Sequence, residues 1–227
     1  MATGQAFKHQ ARVFRLWVLI LILVLGTGLG FAQGGFKFFR NYSKKDYDHF
    51  PQNWCIIQDR DGLVFVGNTG GILEYDGVSW RLIWVPNLMA RTLAIDASGT
   101  IYVGGLNELG FLEPDQTGTL QYKSLLNKLE EKYRNFGSIS QVFAAPDGLY
   151  FKASKYLFRW DAKRFTTWNS ETAFWALYLY NGKLYIQQNG VGLQVLENDS
   201  FHVIPGGSFF AGKEDAWRIS MMVPFNG

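Results

Sequence analysis

Few residues in this chain stand in patterns that could do chemistry. Asp59-x-Asp61-Gly62 has the opening spacing of a calcium loop, in which alternate carboxylates meet one cation. Phe65 and Gly67 occupy the downstream ligand positions, so the rest of that loop is missing. The segment reads instead as an Asp-Gly turn, since Asp and Gly dominate such turns. Gly67-Asn68-Thr69-Gly70-Gly71 has the glycine density of a phosphate loop, but no Lys-Ser or Lys-Thr follows it. It reads as a hairpin connection. Gly26-x-Gly28-x-Gly30 follows no strand and opens no nucleotide-binding helix. His49 and His202 have no neighbouring Ser or Asp pattern of a catalytic triad, and read as surface or packing residues. Cys55 is the one cysteine, so no intrachain disulfide forms. The third histidine, His9, lies in the leader, which leaves too few ligands for a zinc site. Cys55 itself falls in an apolar run and is expected to be an inert core residue. Asn41-Tyr42-Ser43 and Asn198-Asp199-Ser200 fit the glycan acceptor pattern, which is informative only in a eukaryotic secretory host. The expectation is no catalytic residue, no metal and no cofactor.

The composition points to a folded chain with an export signal. Of 227 residues, 48% are apolar, 18% charged and 17% aromatic, which excludes a disordered or fibrous chain. The net charge of +3 comes from Lys8, Arg12 and Arg15, within a 32-residue leader that holds no acid. Removing those three from the 22 Lys and Arg leaves 19, against 19 Asp and Glu. The remainder therefore presents no basic field, and nucleic acid is not an expected partner. Leu16 to Leu25 is an unbroken apolar core, and Gly30 and Ala32 supply small residues at a cleavage position. Residues 1–32 read as a signal peptide. The rival reading is a membrane anchor, since 21 uncharged residues separate Arg15 from Lys37. Either way the rest is exported. Residues 33–52 form an N-terminal segment.

Residues 53–227 carry a repeat. Gly-turn dipeptides recur at Asp61-Gly62, Ser98-Gly99, Asp147-Gly148, Asn181-Gly182 and Asn226-Gly227, spaced by 37, 49, 34 and 45 residues. Six and five residues before each glycine stand the apolar pairs Ile56-Ile57, Leu93-Ala94, Val142-Phe143, Ala176-Leu177 and Met221-Met222. Three residues after the first four glycines come Phe65, Tyr102, Phe151 and Tyr185. An apolar-acidic pair follows: Tyr75-Asp76, Leu112-Glu113, Trp160-Asp161 and Leu196-Glu197. Four residues past the acid stand Trp80, Phe165 and Phe201. In the second unit the pattern breaks, and Leu120 to Phe136 reads as an inserted helix with Leu125, Leu126, Leu129 and Tyr133 on one face.

Each unit reads as four strands joined by turns. In the first they are about Trp54–Gln58, Leu63–Gly67, Ile72–Tyr75 and Trp80–Trp84. Consecutive apolar residues such as Leu63 to Val66 imply sheets buried on both faces. Four-stranded sheets of about 40 residues with two buried faces are propeller blades. The fold expected is all-β: four antiparallel blades, the start of a fifth, and one short inserted helix. The repeated aromatics would wedge between blades. The fifth unit stops at Asn226-Gly227, which reads as an N-terminal fragment of a longer protein. The alternative is a four-bladed ring whose last strand completes the first blade.

The first unit carries a specific resemblance. Asn53-Trp54, Ile57-Gln58-Asp59, Gly62, Val66-Gly67-Asn68, Gly71-Ile72-Leu73-Glu74-Tyr75-Asp76-Gly77 and Trp80 closely resemble the two-component-regulator propeller repeat. Trp54, Asp59, Gly62, Gly67, Asn68, Gly71, Tyr75, Asp76, Gly77 and Trp80 are its structural positions, with Gly99, Gly148, Trp160, Asp161 and Gly182 in later units. That repeat forms the extracytoplasmic sensor region of bacterial signalling proteins, especially hybrid histidine kinases. The segment from Asn41-Tyr42-Ser43 to Pro51-Gln52-Asn53-Trp54 resembles the start of such sensors. Later units depart from the pattern: Trp160-Asp161 replaces Tyr-Asp, Leu196-Glu197 does so again, and unit two lacks the closing Trp.

The resemblance implies more blades, an immunoglobulin-like domain, a membrane helix and a cytoplasmic output module beyond this chain. It implies an extracellular or periplasmic ligand, with glycans one class, and membrane attachment through the leader or a downstream helix. A homodimeric full-length receptor is one arrangement it allows. Functional loops of a propeller lie around the channel mouth, here Pro86 to Arg91, Phe136 to Ser140 and Glu171 to Trp175. Two other functions fit a propeller: an exported enzyme acting on polysaccharide through paired carboxylates, and a non-catalytic scaffold or adhesion module. Cleavage after Ala32 gives a mature chain beginning at Gln33, which mass spectrometry of the exported product would show. An intact Met1 end would favour the anchor.

Overall fold

The computed structural model describes residues 17, 18, 39–212, 219 and 222. The leader and the fifth Gly turn therefore lie outside the described residues. Two compact units divide the chain, Met1–Asn41 and Tyr42–Gly227, and all the sheets lie in the second. Among the described residues no helix is long and apolar enough to cross a membrane.

Among the described residues sixteen strands form four separate antiparallel sheets, each a simple meander in chain order. Blade 1 is β1 (Asn53–Gln58), β2 (Val64–Asn68), β3 (Gly71–Tyr75) and β4 (Trp80–Ile83). Blade 2 is β5 (Ala90–Ile95), β6 (Ile101–Gly105), β7 (Leu109–Pro114) and β8 (Leu120–Ser124). Blade 3 is β9 (Gln141–Ala145), β10 (Gly148–Lys152), β11 (Tyr156–Trp160) and β12 (Phe165–Asn169). Blade 4 is β13 (Phe174–Tyr180), β14 (Lys183–Gln188), β15 (Gly192–Glu197) and β16 (Ser200–Val203). First strands of successive blades pack side by side, β1 on β5, β5 on β9 and β9 on β13. This is the all-β propeller arrangement the repeat predicts.

The blades bury both faces, as the unbroken apolar strands require. One core fills the space between blades 1 and 2, with Phe65, Ile72, Leu93 and Val103. A second, between blades 2 and 3, holds Leu109, Val142, Phe151, Phe158 and Trp160. A third, between blades 3 and 4, holds Tyr150, Leu157, Leu177 and Ile186. Each such side chain contributes about 1.5–3 kcal/mol relative to exposure. Phe65, Tyr102, Phe151, Phe165 and Phe201 lie in these seams, whereas Trp80 packs with Tyr47 on the outer face of blade 1. Tyr75 stacks on Trp80 at 4.6 Å, and the matching pair Trp160 and Phe165 lies at 4.8 Å.

Two sequence expectations need correction. Leu120 to Phe136 is not an inserted helix. Its first part is β8, paired with β7 so that Tyr122 stands opposite Leu112. Tyr122 thus fills the place of the closing aromatic that unit two lacks at the expected spacing. The hairpin is longer because Asp115 to Thr119 forms its turn, and the rest is two 3-10 turns, Leu126–Lys128 and Glu131–Tyr133. Leu125 and Leu129 are buried there, which is why the spacing looked helical.

The glycine register also slips in blade 3. Gly62, Gly99 and Gly182 sit in turns at φ 88°, 91° and 71°. Gly148 instead lies within β10, opposite Ala145. Its structural partner to Phe65 and Tyr102 is Tyr150, which faces blade 4, while Phe151 faces back to blade 2.

Gly67 shows how closely the blades approach. A Cβ there would lie 2.7 Å from the Ala90 carbonyl oxygen and 2.7 Å from Cys55 Sγ. Gly67→Ala is expected to cost about 1–3 kcal/mol in urea unfolding through overpacking. Val78→Ala, at a position 86% exposed, should cost about 0.5 kcal/mol or less. An unchanged midpoint for Gly67→Ala would show that blades 1 and 2 do not meet there.

Candidate functional site

A meander gives each blade two chemically different ends. The first-to-second and third-to-fourth strand connections share one end, the hairpin end. The second-to-third and blade-to-blade connections share the other, the crossover end.

The hairpin end is built from aspartate turns. Asp59 Oδ1 accepts the backbone N–H of Asp61 at 3.0 Å and of Leu63 at 2.8 Å. Asp96 accepts those of Ser98 and Thr100, and Asp115 those of Thr117 and Thr119. Asp76 does the same with Val78 and Ser79, and Asp161 with Lys163 and Arg164. Gly77, beside Asp76, has φ 96°. Asp59 is therefore a turn-forming residue, as its sequence context suggests. Among the described residues no group of His, Cys, Asp or Glu could hold a metal ion. Backbone N–H groups hold the carboxyls of Asp76 and Asp161 below the ordinary aspartate value, and the Thr117 hydroxyl leads the same effect at Asp115. At Asp96 burial pushes upward, but the Ser98 hydroxyl and the Thr100 and Ser98 N–H groups outweigh it.

The crossover end brings the three expected loops together. Asn87 Nδ2 donates to the Leu106 carbonyl at 3.0 Å, and Asn107 is joined to Gly137 through both its N–H and its Oδ1. Arg91 reaches Ser138 Oγ at 3.5 Å and lies over the Trp54 ring at 4.8 Å. Lys152 Nζ donates to Ser140 Oγ at 2.9 Å and to the Trp175 carbonyl at 2.7 Å. Residues 86–91, 136–140 and 171–175 thus form one linked surface. Where the first strands begin, it carries Trp54, Arg91 and Trp175, each half-buried, with the Arg91 guanidinium on the Trp54 ring. An Arg on an aromatic face contributes about 0.5–2 kcal/mol. Glu108 lies near this end but is buried, and accepts from Tyr122 and Ser124 hydroxyls. Burial, with the neighbouring Glu108 charge, pushes the Tyr122 hydroxyl far upward.

Several of the motif residues make contacts within the fold. Asn68 is fully buried, and its amide donates to the Phe50 and Gln52 carbonyls and Asn53 Oδ1 while accepting from Gly70 N–H. It ties the N-terminal segment to the β2–β3 turn. Gly71 opens β3 at φ 133°. Tyr75 OH donates to the Gly77 carbonyl at 2.6 Å. Cys55 is half-buried beside Gly67, and burial raises its thiol pKa, consistent with an inert residue. His49 is half-buried in the N-terminal segment and His202 is exposed on β16. Sequence reasoning missed Lys152, because a lysine in a strand reads as surface. It also missed Gln141, whose side-chain amide pairs with both the N–H and the carbonyl of Leu177 on the next blade, at 2.8 and 3.2 Å.

No protein-family profile matches the chain, and no curated protein does. Solved structures do share its fold. One is the extracellular domain of a protein described as the hybrid two component system BT3049 of B. thetaiotaomicron. It is 14% identical with a TM-score of 0.55, over 72% of this chain and 26% of that one. Another is the extracellular domain of BT4673 from the same organism, 17% identical with a TM-score of 0.51, over 66% of this chain and 21% of that one. A third is virginiamycin B lyase from Staphylococcus aureus, 12% identical with a TM-score of 0.50, over 69% and 57%. The chain thus spans about a quarter or less of the two extracellular domains it matches. At these identities the likeness establishes the fold, a β-propeller.

The aspartate turns set an acid limit. The folded pKa values of Asp76, Asp96, Asp115 and Asp161 lie below the unfolded value of about 3.9, so unfolding takes up protons when pH falls below it. The stability they contribute is complete above about pH 4 and is lost as pH falls through the folded values. Urea midpoints measured from pH 5 to pH 2.5 should decline, and Asp76→Asn, which keeps an acceptor oxygen, should flatten that decline. An identical slope in the variant would remove Asp76 from the account.

Proposed function

We propose that this chain is the exported, ligand-sensing propeller of a two-component-type signalling receptor and carries no catalysis itself. The observation that carries the reading is the shared fold with the extracellular domains of BT3049 and BT4673. The blade 1 motif resembling the two-component-regulator repeat points the same way. The crossover end supplies the sensing surface: Trp54 and Trp175 with Arg91 and Lys152, on loops locked to one another across three blades. A ligand seated there would touch several blades at once and could bias their packing on a following domain, provided its affinity differs between two states.

Virginiamycin B lyase shows that this fold can host an enzyme. A polysaccharide-cleaving reading needs paired carboxylates at the channel. Among the described residues, the turn aspartates lie at the hairpin end, Glu108 is enclosed by Tyr122 and Ser124, and the exposed crossover-end carboxylates, Glu130, Glu131 and Glu171, lie on two different blade-to-blade connections. The reading favoured here is therefore binding without turnover.

A thermal-shift screen of the exported chain against a panel of neutral and uronate-containing oligosaccharides tests the proposal. A binder should raise Tm without being consumed. Arg91→Ala combined with Trp175→Ala should abolish that shift while circular dichroism stays unchanged. Cleavage of the oligosaccharide, or a shift insensitive to both substitutions, would contradict it.

A further inference from the structure

Arginines bridge two of the three seams toward their hairpin ends. Between blades 1 and 2, Arg60 donates to the Ala97 carbonyl at 2.7 Å and Arg81 to the Leu120 carbonyl at 3.1 Å. Between blades 3 and 4, Arg159 pairs with Asp199 at 2.8 Å. The seam between blades 2 and 3 is built differently. Ala97 follows Asp96 in its turn as Arg60 follows Asp59, and its side chain is too short to cross. Phe111, paired with Lys123, stands where blade 1 has Glu74 paired with Arg81 and where blade 3 has Arg159. Lys123 turns to Glu113 of its own blade, at 3.9 Å. Among the described residues, the hydrogen bonds that cross this seam lie at the crossover end, through Arg91, Asn107 and Ile139.

Where the bridges are missing, the seam opens as two adjoining hollows. One, of about 790 Å³, lies among the hairpin-end turns, and the other, of about 480 Å³, lies along β7 and β8. Tyr102, Trp160 and Ala162 line both. The charged groups of the two hollows differ in sign. The first is lined by Asp96, Asp147 and Asp161. Asp147 Oδ2 accepts from Tyr150 OH at 2.6 Å and pairs with Arg159 at 3.1 Å, while its Oδ1 carries no bond among the described residues. Asp161 Oδ2 meets Arg164 at 3.7 Å, and Asp96 has no cationic partner among the described residues. Hydrogen bonds from their own turns keep Asp96 and Asp161 below the ordinary aspartate value, so both are ionised at neutral pH. The second hollow is lined by Lys123, Lys128 and Asn127, with Glu113 beside Lys123. Lys128 Nζ has no partner among the described residues.

We propose that this cleft binds a short peptide end to end. Its terminal ammonium would lie at Asp96, Asp147 and Asp161, its terminal carboxylate at Lys123 and Lys128, and its middle against Tyr102 and Trp160. The two charged ends exclude simpler ligands. A plain anion would meet three carboxylates at one end, and a polyamine would meet two lysines at the other. A neutral saccharide would use neither set of charges. Ser98 and Thr100, bonded to each other at 2.9 Å near the rings, offer hydroxyls to peptide groups, which a plain alkyl chain lacks. The length also fits. Phe111, opposite Lys123, precedes the Asp115 turn by about 13 Å of strand. An extended tetrapeptide spans about the same distance. The cleft is separate from the crossover-end surface, and the proposal stands whether or not the chain is a receptor.

Calorimetric titration of the 227-residue chain with tetraalanine tests it, using the peptide free at both ends, N-acetylated, C-amidated, and blocked at both. The free form should bind, and each block should weaken binding about tenfold, as loss of a charged hydrogen bond does. In Lys128→Glu the preference for a free carboxylate over the amide should vanish. That readout is a ratio between two ligands, so a variant that fails to fold does not imitate it. Ala97→Arg, which gives this seam the arginine that blade 1 has, should abolish binding while circular dichroism stays unchanged. Several results would overturn the proposal: no binding of free tetraalanine, equal binding of all four forms, a carboxylate preference that survives Lys128→Glu, or full affinity in Ala97→Arg. Binding lost in Arg91→Ala would place the peptide at the crossover end and overturn it too.

Discussion

The structure depends on apolar contact between the broad faces of neighbouring sheets. A four-stranded meander is too small to bury its own side chains, so no blade here has an independent core. Phe65 needs Leu93, Tyr102 needs Phe151, and Tyr150 needs Leu177. That requirement explains the run of apolar residues along each inner strand, where a one-sided sheet would alternate. It also explains Gly67, since the seam brings backbones too close for a side chain. Repeat proteins are stabilised mainly by such nearest-neighbour interfaces, which makes both ends of an array special. At blade 1 the N-terminal segment meets that demand only in part.

Polar contacts decide how the apolar seams align. Gln141 reads both backbone groups of Leu177, Arg60 reaches the Ala97 carbonyl at 2.7 Å, and Arg159 reaches Asp199 at 2.8 Å across the seam between blades 3 and 4. Apolar packing alone would tolerate sliding of one sheet over the next. These bonds fix the stagger, and with it the arrangement of loops at each end. The hairpin end uses Asp59, Asp76, Asp96, Asp115 and Asp161 on its own backbone, and Asp147 and Asp199 on Arg159. The crossover end holds Arg91 and Lys152 with uncharged oxygen acceptors and aromatic rings, so the two ends of one fold carry different chemistry.

The blades were legible because period and turn chemistry agreed. All four strands of blade 1 lie within one residue of where its sequence places them. The misreadings arose where a turn or its glycine departed from the pattern. In blade 3 the glycine stands one residue later than in blade 4, after the two-residue turn Pro146-Asp147 and opposite Ala145, so a count from glycine lands on Phe151 instead of Tyr150. In blade 2 the third turn is longer, and two buried leucines behind it, Leu125 and Leu129, imitate a helix. The sequence held a correcting signal: Asp115-Gln116-Thr117-Gly118-Thr119 follows the same pattern as Asp59 to Leu63 and Asp96 to Thr100. The loops of the crossover end could be named in advance from topology. Their linking contacts could not, because the approach of Arg91 to Ser138 and of Lys152 to Trp175 spans 47 and 23 residues of chain.

Amide hydrogen exchange of the exported protein, with and without an oligosaccharide that stabilises it, tests the central claim most directly. The account predicts added protection in residues 86–91, 136–140 and 171–175, with the turns at 59–63, 96–100 and 115–119 unchanged. Protection confined to those hairpin-end turns would contradict it.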